Sequence, residues 1–163
     1  MKQIQMHEDD PIRYDLLLQT SYAIELHTLY KKFFNRIDFY INLFQLIAGS
    51  FAFVSLFSKQ IDVAIVGAII ALLAFFALLI QPGKKASESA ACAEQFGHLY
   101  ATSDSLSNLE FSKALDMLQF KPCSTRINWV RDVAYENNLL TNGREDATTP
   151  LPFMHKFLSL LFL

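Results

Sequence analysis

The chain has 163 residues, 52% hydrophobic and 18% charged, with 15 Phe and a formal net charge of −2. That length holds one domain, or one domain with a membrane segment, and the charged share falls below the roughly one quarter usual in soluble domains. The near-neutral balance and the absence of a recognition motif exclude a nucleic-acid binder. The polar start, MKQIQMHEDD, has no apolar stretch and no small-residue cleavage site, so no signal peptide is expected.

Residues 1–36 read as a cytoplasmic N-terminal helix. Asp10 followed by Pro11 is a helix start: a capping carboxylate, then proline at the first helical position. Leu18, Tyr22, Leu26, Leu29, Phe33 and Ile37 recur at helical spacing and predict one apolar face. No strong breaker follows, so this helix is expected to run on into the next segment.

Residues 37–83 contain two runs without a charge, 39–58 and 63–83. Val63–Ile80 is apolar on every side. As a helix it is roughly 27 Å long, close to the hydrocarbon thickness of a bilayer. A helix apolar all round must be buried in a large protein or in lipid, and the remaining chain is too small to wrap it. The first run is weaker, with Asn42, Gln45, Ser50 and Ser55, but its lack of charge permits insertion. Only KQID, residues 59–62, separates the two, which predicts an antiparallel transmembrane hairpin.

Flanking charge then orients the hairpin. Lys31, Lys32 and Arg36 precede the first run, Lys84 and Lys85 follow the second, and the turn offers only Lys59 beside Asp62. Cations stay on the cytoplasmic side. Both termini of this multi-pass protein are therefore expected in the cytoplasm, with the turn outside.

Each span carries a distinctive stripe. Asn42, Gln45, Gly49, Ala52 and Ser55 fall on one face of the first helix, and Ala64, Gly67, Ala68, Ala71 and Ala74 form a small-residue stripe on the second. Ile65, Ile69, Leu72, Phe76 and Leu79, on the opposite face, suit lipid. Small residues admit a second helix closely, and amides can bond across the gap. Two readings stay open. Either the stripes pack the hairpin against itself, or the Asn42/Gln45 face points into a homo-oligomer or a water-filled lumen, which two helices alone cannot enclose.

Residues 84–140 read as a cytoplasmic helical region. Ala86, Ala93, Phe96 and Tyr100 are predicted on one side of its first helix. A second helix, capped by Ser105 or Ser107, is predicted to bury Leu109, Leu115 and Leu118, and a third, capped by Ser124, groups Ile127, Val130, Ala134 and Tyr135 before Asn142-Gly143 ends it. Residues 141–163 are a polar linker and an apolar C-terminal segment. From Phe153 on it is too short to span, so it either lies in the membrane interface or docks on the bundle. No run alternates as a strand, and the fold class is all-α.

No catalytic, cofactor-binding or metal site is visible. HExxH, GxSxG and glycine-rich phosphate loops are absent from the sequence. Glu94 and His98 read as a solvated pair, and Trp129 with Arg126 and Arg131 as bundle packing. Cys92 and Cys123, far apart and outside any CxxC, are expected to be free thiols in a reducing compartment. The spans hold no Asp, Glu, Lys, Arg or His, which argues against a proton relay.

An amphipathic helix, a tight two-span hairpin, the stretch PGKKASESAACAEQFGHLYA and the closing element KPCSTRINWVRDVAYENNLL follow in order. Over about residues 14–140 this arrangement resembles the SLATT family, two-transmembrane effectors of bacterial conflict systems. The apolar tail after Leu151 departs from it. The resemblance implies a non-enzymatic effector of antiphage defence that oligomerises and disrupts the inner membrane. A separate sensor or signalling partner would trigger it, since this chain carries no sensor domain. The alternative is a membrane-anchored adaptor whose cytoplasmic helices recruit a soluble partner. A membrane enzyme is a third reading, with no visible site to support it.

Overall fold

The computed structural model describes residues 11–58, 63–120, 127–144, 147–148 and 151–163, with side chains described for these except 52, 54–58 and 63. Helix α1 (Pro11–Ser58) is unbroken over 48 residues, about 72 Å. After it come α2 (Val63–Ile80), α3 (Pro82–Ala101), a 3-10 turn at Ser103–Ser105, α4 (Asn108–Gln119), α5 (Asn128–Thr141) and α6 (Phe153–Phe162). The protein is all-helical, with no strand among the described residues. The predicted start at Asp10, the cap at Ser124 and the turn at Lys59 and Asp62 lie outside the described residues.

Everything packs on α1. Helix α2 begins four residues after α1 ends, and at its far end a Cβ added to Gly83 would lie 3.7 Å from Asp38 Oδ1. It therefore runs back along α1. Helix α3 continues in the same direction: the rings of His27 and Phe96 stack at 5.6 Å, and Arg13 donates to the Ser103 carbonyl. Helix α5 is antiparallel to α1 as well. The Ile127 N–H donates to the Tyr30 hydroxyl at 3.1 Å, and Asn138 Nδ2 donates to the Leu18 carbonyl at 3.4 Å.

The joint between α2 and α3 has a physical cause. Pro82 has no N–H and cannot continue the ladder, so it opens α3, where the lacking donor costs nothing. Gln81 takes up the change of direction at φ 47°, a left-handed conformation that costs an L-residue about 1–2 kcal/mol. Its own N–H still bonds to Ala77 at 2.9 Å, and its carbonyl accepts from Lys85 at 3.1 Å.

Two cores hold the bundle formed by α1 with α3, α4 and α5. One joins Leu29, Tyr30 and Phe34 to Ala86, Val130, Val133 and Ala134; the other joins Leu16 and Ala23 to Phe96, Leu99, Phe111 and Leu115. The predicted stripe from Leu18 to Ile37 faces α5, where Tyr22 meets Tyr135 and Phe33 meets Trp129 edge-on. A second buried stripe, Leu16, Thr20, Ala23, His27 and Phe34, faces α3. Thr20 satisfies itself by donating to the Leu16 carbonyl at 2.8 Å, an internal bond that lets a hydroxyl enter an apolar seam.

Several predicted faces shift. On α3 the buried line is Pro82, Ala86, Ser89, Cys92, Phe96 and Leu99, while Ala93 and Tyr100 are half-buried at its margin. On α4 the buried pair is Phe111 and Leu115, and Leu109 is exposed. Positions 111, 115 and 118 share a helix face, whereas 109 and 115 are six residues apart and point in different directions. Ser107 is the cap: it accepts from the Glu110 N–H, and Glu110 reaches back to the Ser107 N–H at 3.0 Å, a complete capping box. On α5 Val133 replaces Tyr135 in the core. The end at Asn142-Gly143 follows the spacing. Gly143 has φ 71°, its N–H reaches Leu140 O at 3.2 Å, and Arg144 N–H reaches Leu139 O at 2.9 Å. This closes α5 in a Schellman motif.

Cys92 also departs from expectation. It is disulfide-bonded rather than free, and the chain's one other cysteine, Cys123, lies outside the described residues. Distance along the sequence excludes no pairing, because α4 folds back to pack Phe111 and Leu115 against Phe96 and Leu99 of α3.

Candidate membrane-embedded surface and its polar collar

Beyond Ile37 the character of the surface changes. Phe39, Phe44, Leu46, Phe51 and Phe53 on α1, and Ile65, Leu72, Phe75, Leu78 and Leu79 on α2, are each more than half exposed. Moving such a side chain out of water is worth about 1.5–3 kcal/mol. Summed over these ten partly exposed side chains, the cost of wetting the belt is comparable with the roughly 5–15 kcal/mol by which a domain is usually stable. Among the described residues one helix, the run beginning at Ala64, is long and apolar enough to cross a membrane.

The two helices meet along narrow lines. Helix α2 turns Val66 inward, with half-buried Ile70, Leu73, Ala74 and Ala77 following at helical spacing. Ile41, Gln45 and Ala48 are the half-buried positions of α1 at this level. The small-residue stripe therefore does not make the contact with α1. Ala64, Gly67, Ala68 and Ala71 are exposed, and only Ala74 is partly covered. A Cβ at Gly67 or at Gly49 would meet nothing within 4 Å. The predicted polar stripe splits too. Gln45 is half-buried, Gly49 is exposed, and the side chains of Ala52 and Ser55 are outside the described set. Exposed Asn42 donates from Nδ2 to Asp38 Oδ2 at 3.2 Å, one turn below. The sequence reading missed Asp38 as its partner, although an acid four residues before an amide at the edge of an uncharged run is a visible signal.

Below the belt the predicted basic residues gather at one level. Lys31, Lys32 and Arg36 are exposed on α1. Lys84 lies 3.9 Å from Glu88, and the Lys85 ammonium sits 5.5 Å over the Phe34 ring. Helix α6 joins this collar. Phe162 packs on Phe33 and edge-on against Tyr40, and the Leu161 carbonyl accepts from Arg36 at 2.9 Å. From the other side His155 Nδ1 lies 3.3 Å from Asp132 on α5. Rings and long cations at such a boundary match the residues that settle at lipid headgroup level.

Among the described residues, the bundle of α1, α3, α4 and α5 offers shallow grooves. A groove of about 430 Å³ is lined by Tyr22, Asn128, Arg131, Asp132 and Tyr135. There Arg131 is hydrogen-bonded to Tyr22, which holds the guanidinium above its ordinary pKa. A second, of about 500 Å³ and mostly apolar, lies between α3 and α4 beside His98, Met117 and Leu118. Glu94 and His98 are both exposed, and no group of three metal-ligating side chains occurs among the described residues. Trp129 is half-buried against Phe33, Arg126 lies outside the described residues, and Arg131 faces the groove.

Comparison with family models, curated proteins and solved structures gives no match. Function therefore rests on this geometry and on the sequence resemblance.

Proposed function

We propose that this chain is a two-span protein of the bacterial inner membrane, with both termini cytoplasmic, acting as a non-enzymatic effector of antiphage defence. On this reading it oligomerises through its hairpin and permeabilises the membrane when a separate sensor or signalling molecule triggers it. One observation carries the membrane part: the belt of exposed Phe, Leu and Ile on both α1 and α2, which only a non-aqueous surrounding makes tolerable. The exposed Gly67/Ala68/Ala71 line supports assembly, since a small-residue face with open space at Gly67 admits a neighbouring helix. The SLATT resemblance supplies the defence role.

The test is overproduction in bacterial cells with a potential-sensitive dye, comparing the parent with Gly67→Leu/Ala71→Leu. Depolarisation by the parent, and its loss in the double variant at equal membrane abundance, is the expected result. Equal depolarisation by both removes the assembly face. No depolarisation by the overproduced parent favours the adaptor.

The adaptor reading has its own support. Leu109, Met117 and Phe120 stand 65%, 73% and 89% exposed on and just after α4, far from the belt. Such a patch suits a soluble protein partner. Replacing the hairpin with an unrelated one preserves function under this reading and abolishes it under the first.

A further inference from the structure

Helix α6 packs the wrong way round for a helix in water. The side it turns to the bundle carries His155, Leu158, Ser159 and Phe162, all half-buried. The side it leaves open carries Phe153, Met154, Phe157, Leu160 and Leu161, the first and fourth more than 80% exposed. A surface helix normally does the reverse, burying its apolar stripe and showing its polar one. Its docked side is well secured by Asp132, Phe33, Tyr40 and Arg36, so the orientation is built in.

We infer that α6 is an interfacial helix, lying at the boundary of headgroups and acyl chains with its open face in lipid. The inference rests on the membrane reading of α1 and α2. Three observations select lipid as the occupant. The helix abuts the belt, because Phe162 on its docked side touches Tyr40 and the next ring on α1, Phe39, is already 61% exposed. The helix contains no acidic residue, and the exposed cations Lys156 on it and Arg36 against its last turn suit anionic headgroups. At 10 residues it is about 15 Å long, too short to cross and suited to lying flat.

The test uses the full chain in vesicles of phosphatidylcholine and phosphatidylglycerol. Trp129 is the chain's one tryptophan. In a Trp129→Phe background, Leu160→Trp reports α6 and Leu72→Trp reports the span; both positions are exposed and tolerate the larger ring. Lipids brominated near the headgroup end or near the methyl end of the acyl chain quench by depth. Leu160→Trp is expected to lose most of its emission to shallow bromines and little to deep ones, with Leu72→Trp showing the opposite order. If Leu72→Trp is quenched and Leu160→Trp is not, the open face meets protein or a second copy, and the interfacial assignment falls while the span stands. Deep quenching of Leu160→Trp overturns the shallow position. An unquenched Leu72→Trp overturns the membrane reading, and this inference with it.

Discussion

The Arg36 guanidinium on α1 donates to the Leu161 carbonyl on α6 at 2.9 Å, across 125 residues of chain. Leu161 belongs to the last turn of its helix, where carbonyls have no partner within the helix and carry the negative end of the dipole. A cation there both satisfies the oxygen and neutralises that end.

Replacing it should loosen α6 without unfolding the bundle. Arg36→Met keeps the aliphatic stem and removes the donor, a loss of about 0.5–1 kcal/mol at an exposed helix end. Amide exchange over residues 153–163 should quicken roughly two- to fivefold, while α3 and α5 keep their protection. Quickening spread over the whole protein would show that Arg36 supports more than α6.

Phe111 should be the most costly single truncation in the bundle of α1, α3, α4 and α5. It is fully buried between α1 and α3, with Arg13 lying 5.0 Å over its ring. Phe111→Ala should cost about 3–5 kcal/mol through lost burial and the cavity left behind. Leu109→Ala, two residues away and exposed, should change the unfolding midpoint in detergent by little. Comparable losses at both positions would contradict the face of α4 described above.

Acid should weaken the contact between α1 and α3. His27 is buried against Phe96, its Nδ1 makes no hydrogen bond among the described residues, and desolvation lowers its pKa below 6.5. The unfolded chain therefore takes up the proton first as pH falls. The stability that neutral His27 contributes is complete above about pH 6.5 and is lost as pH drops from there through the depressed folded value. His27→Phe keeps a ring on Phe96 and should flatten the thermal midpoint between neutral and mildly acidic pH. An unchanged slope would assign the acid sensitivity elsewhere.

Cys92 and the basic collar make opposite statements about compartment. Cys92 is disulfide-bonded, and disulfides persist in oxidising surroundings. The proposed topology puts the collar of Lys31, Lys32, Arg36, Lys84 and Lys85 on the cytoplasmic side. Both hold if the bond is open in growing cells and closes under oxidation. Alkylation of acid-quenched cells should then label both cysteines, and treatment with a thiol oxidant should block it. A bond already closed in untreated cells would put this end outside and reverse the topology.

Elements with strong periodicity were legible before the structure. The long first helix, the wholly apolar second one and the break at Pro82 follow from spacing, from the length of an uncharged run and from a lacking N–H. What escaped were polar or small residues used inside packing seams. Thr20, His27, Ser89 and Cys92 are buried on α1 and α3, yet none belongs to an apolar stripe predicted from spacing, because burial there is decided by a neighbour distant in sequence, as Phe96 is for His27. The Ala64/Gly67/Ala68/Ala71 line was visible as a pattern, but periodicity does not say which side of a helix meets α1. The split of the Asn42/Gln45 stripe has the same origin: Asp38 claims one amide and the seam claims the other.

Helix α1 passes unbroken from Arg13, held at Ser103, to Phe51, a distance of roughly 57 Å. Its partner strut, α2 with α3, is interrupted at Gln81. The assembly thus pairs a stiff rod with a jointed one. On the proposed membrane reading, a ligand bearing on the α4 end would push on one continuous rod and on one bent at Gln81, so the two struts would deliver that push to the apolar belt unequally.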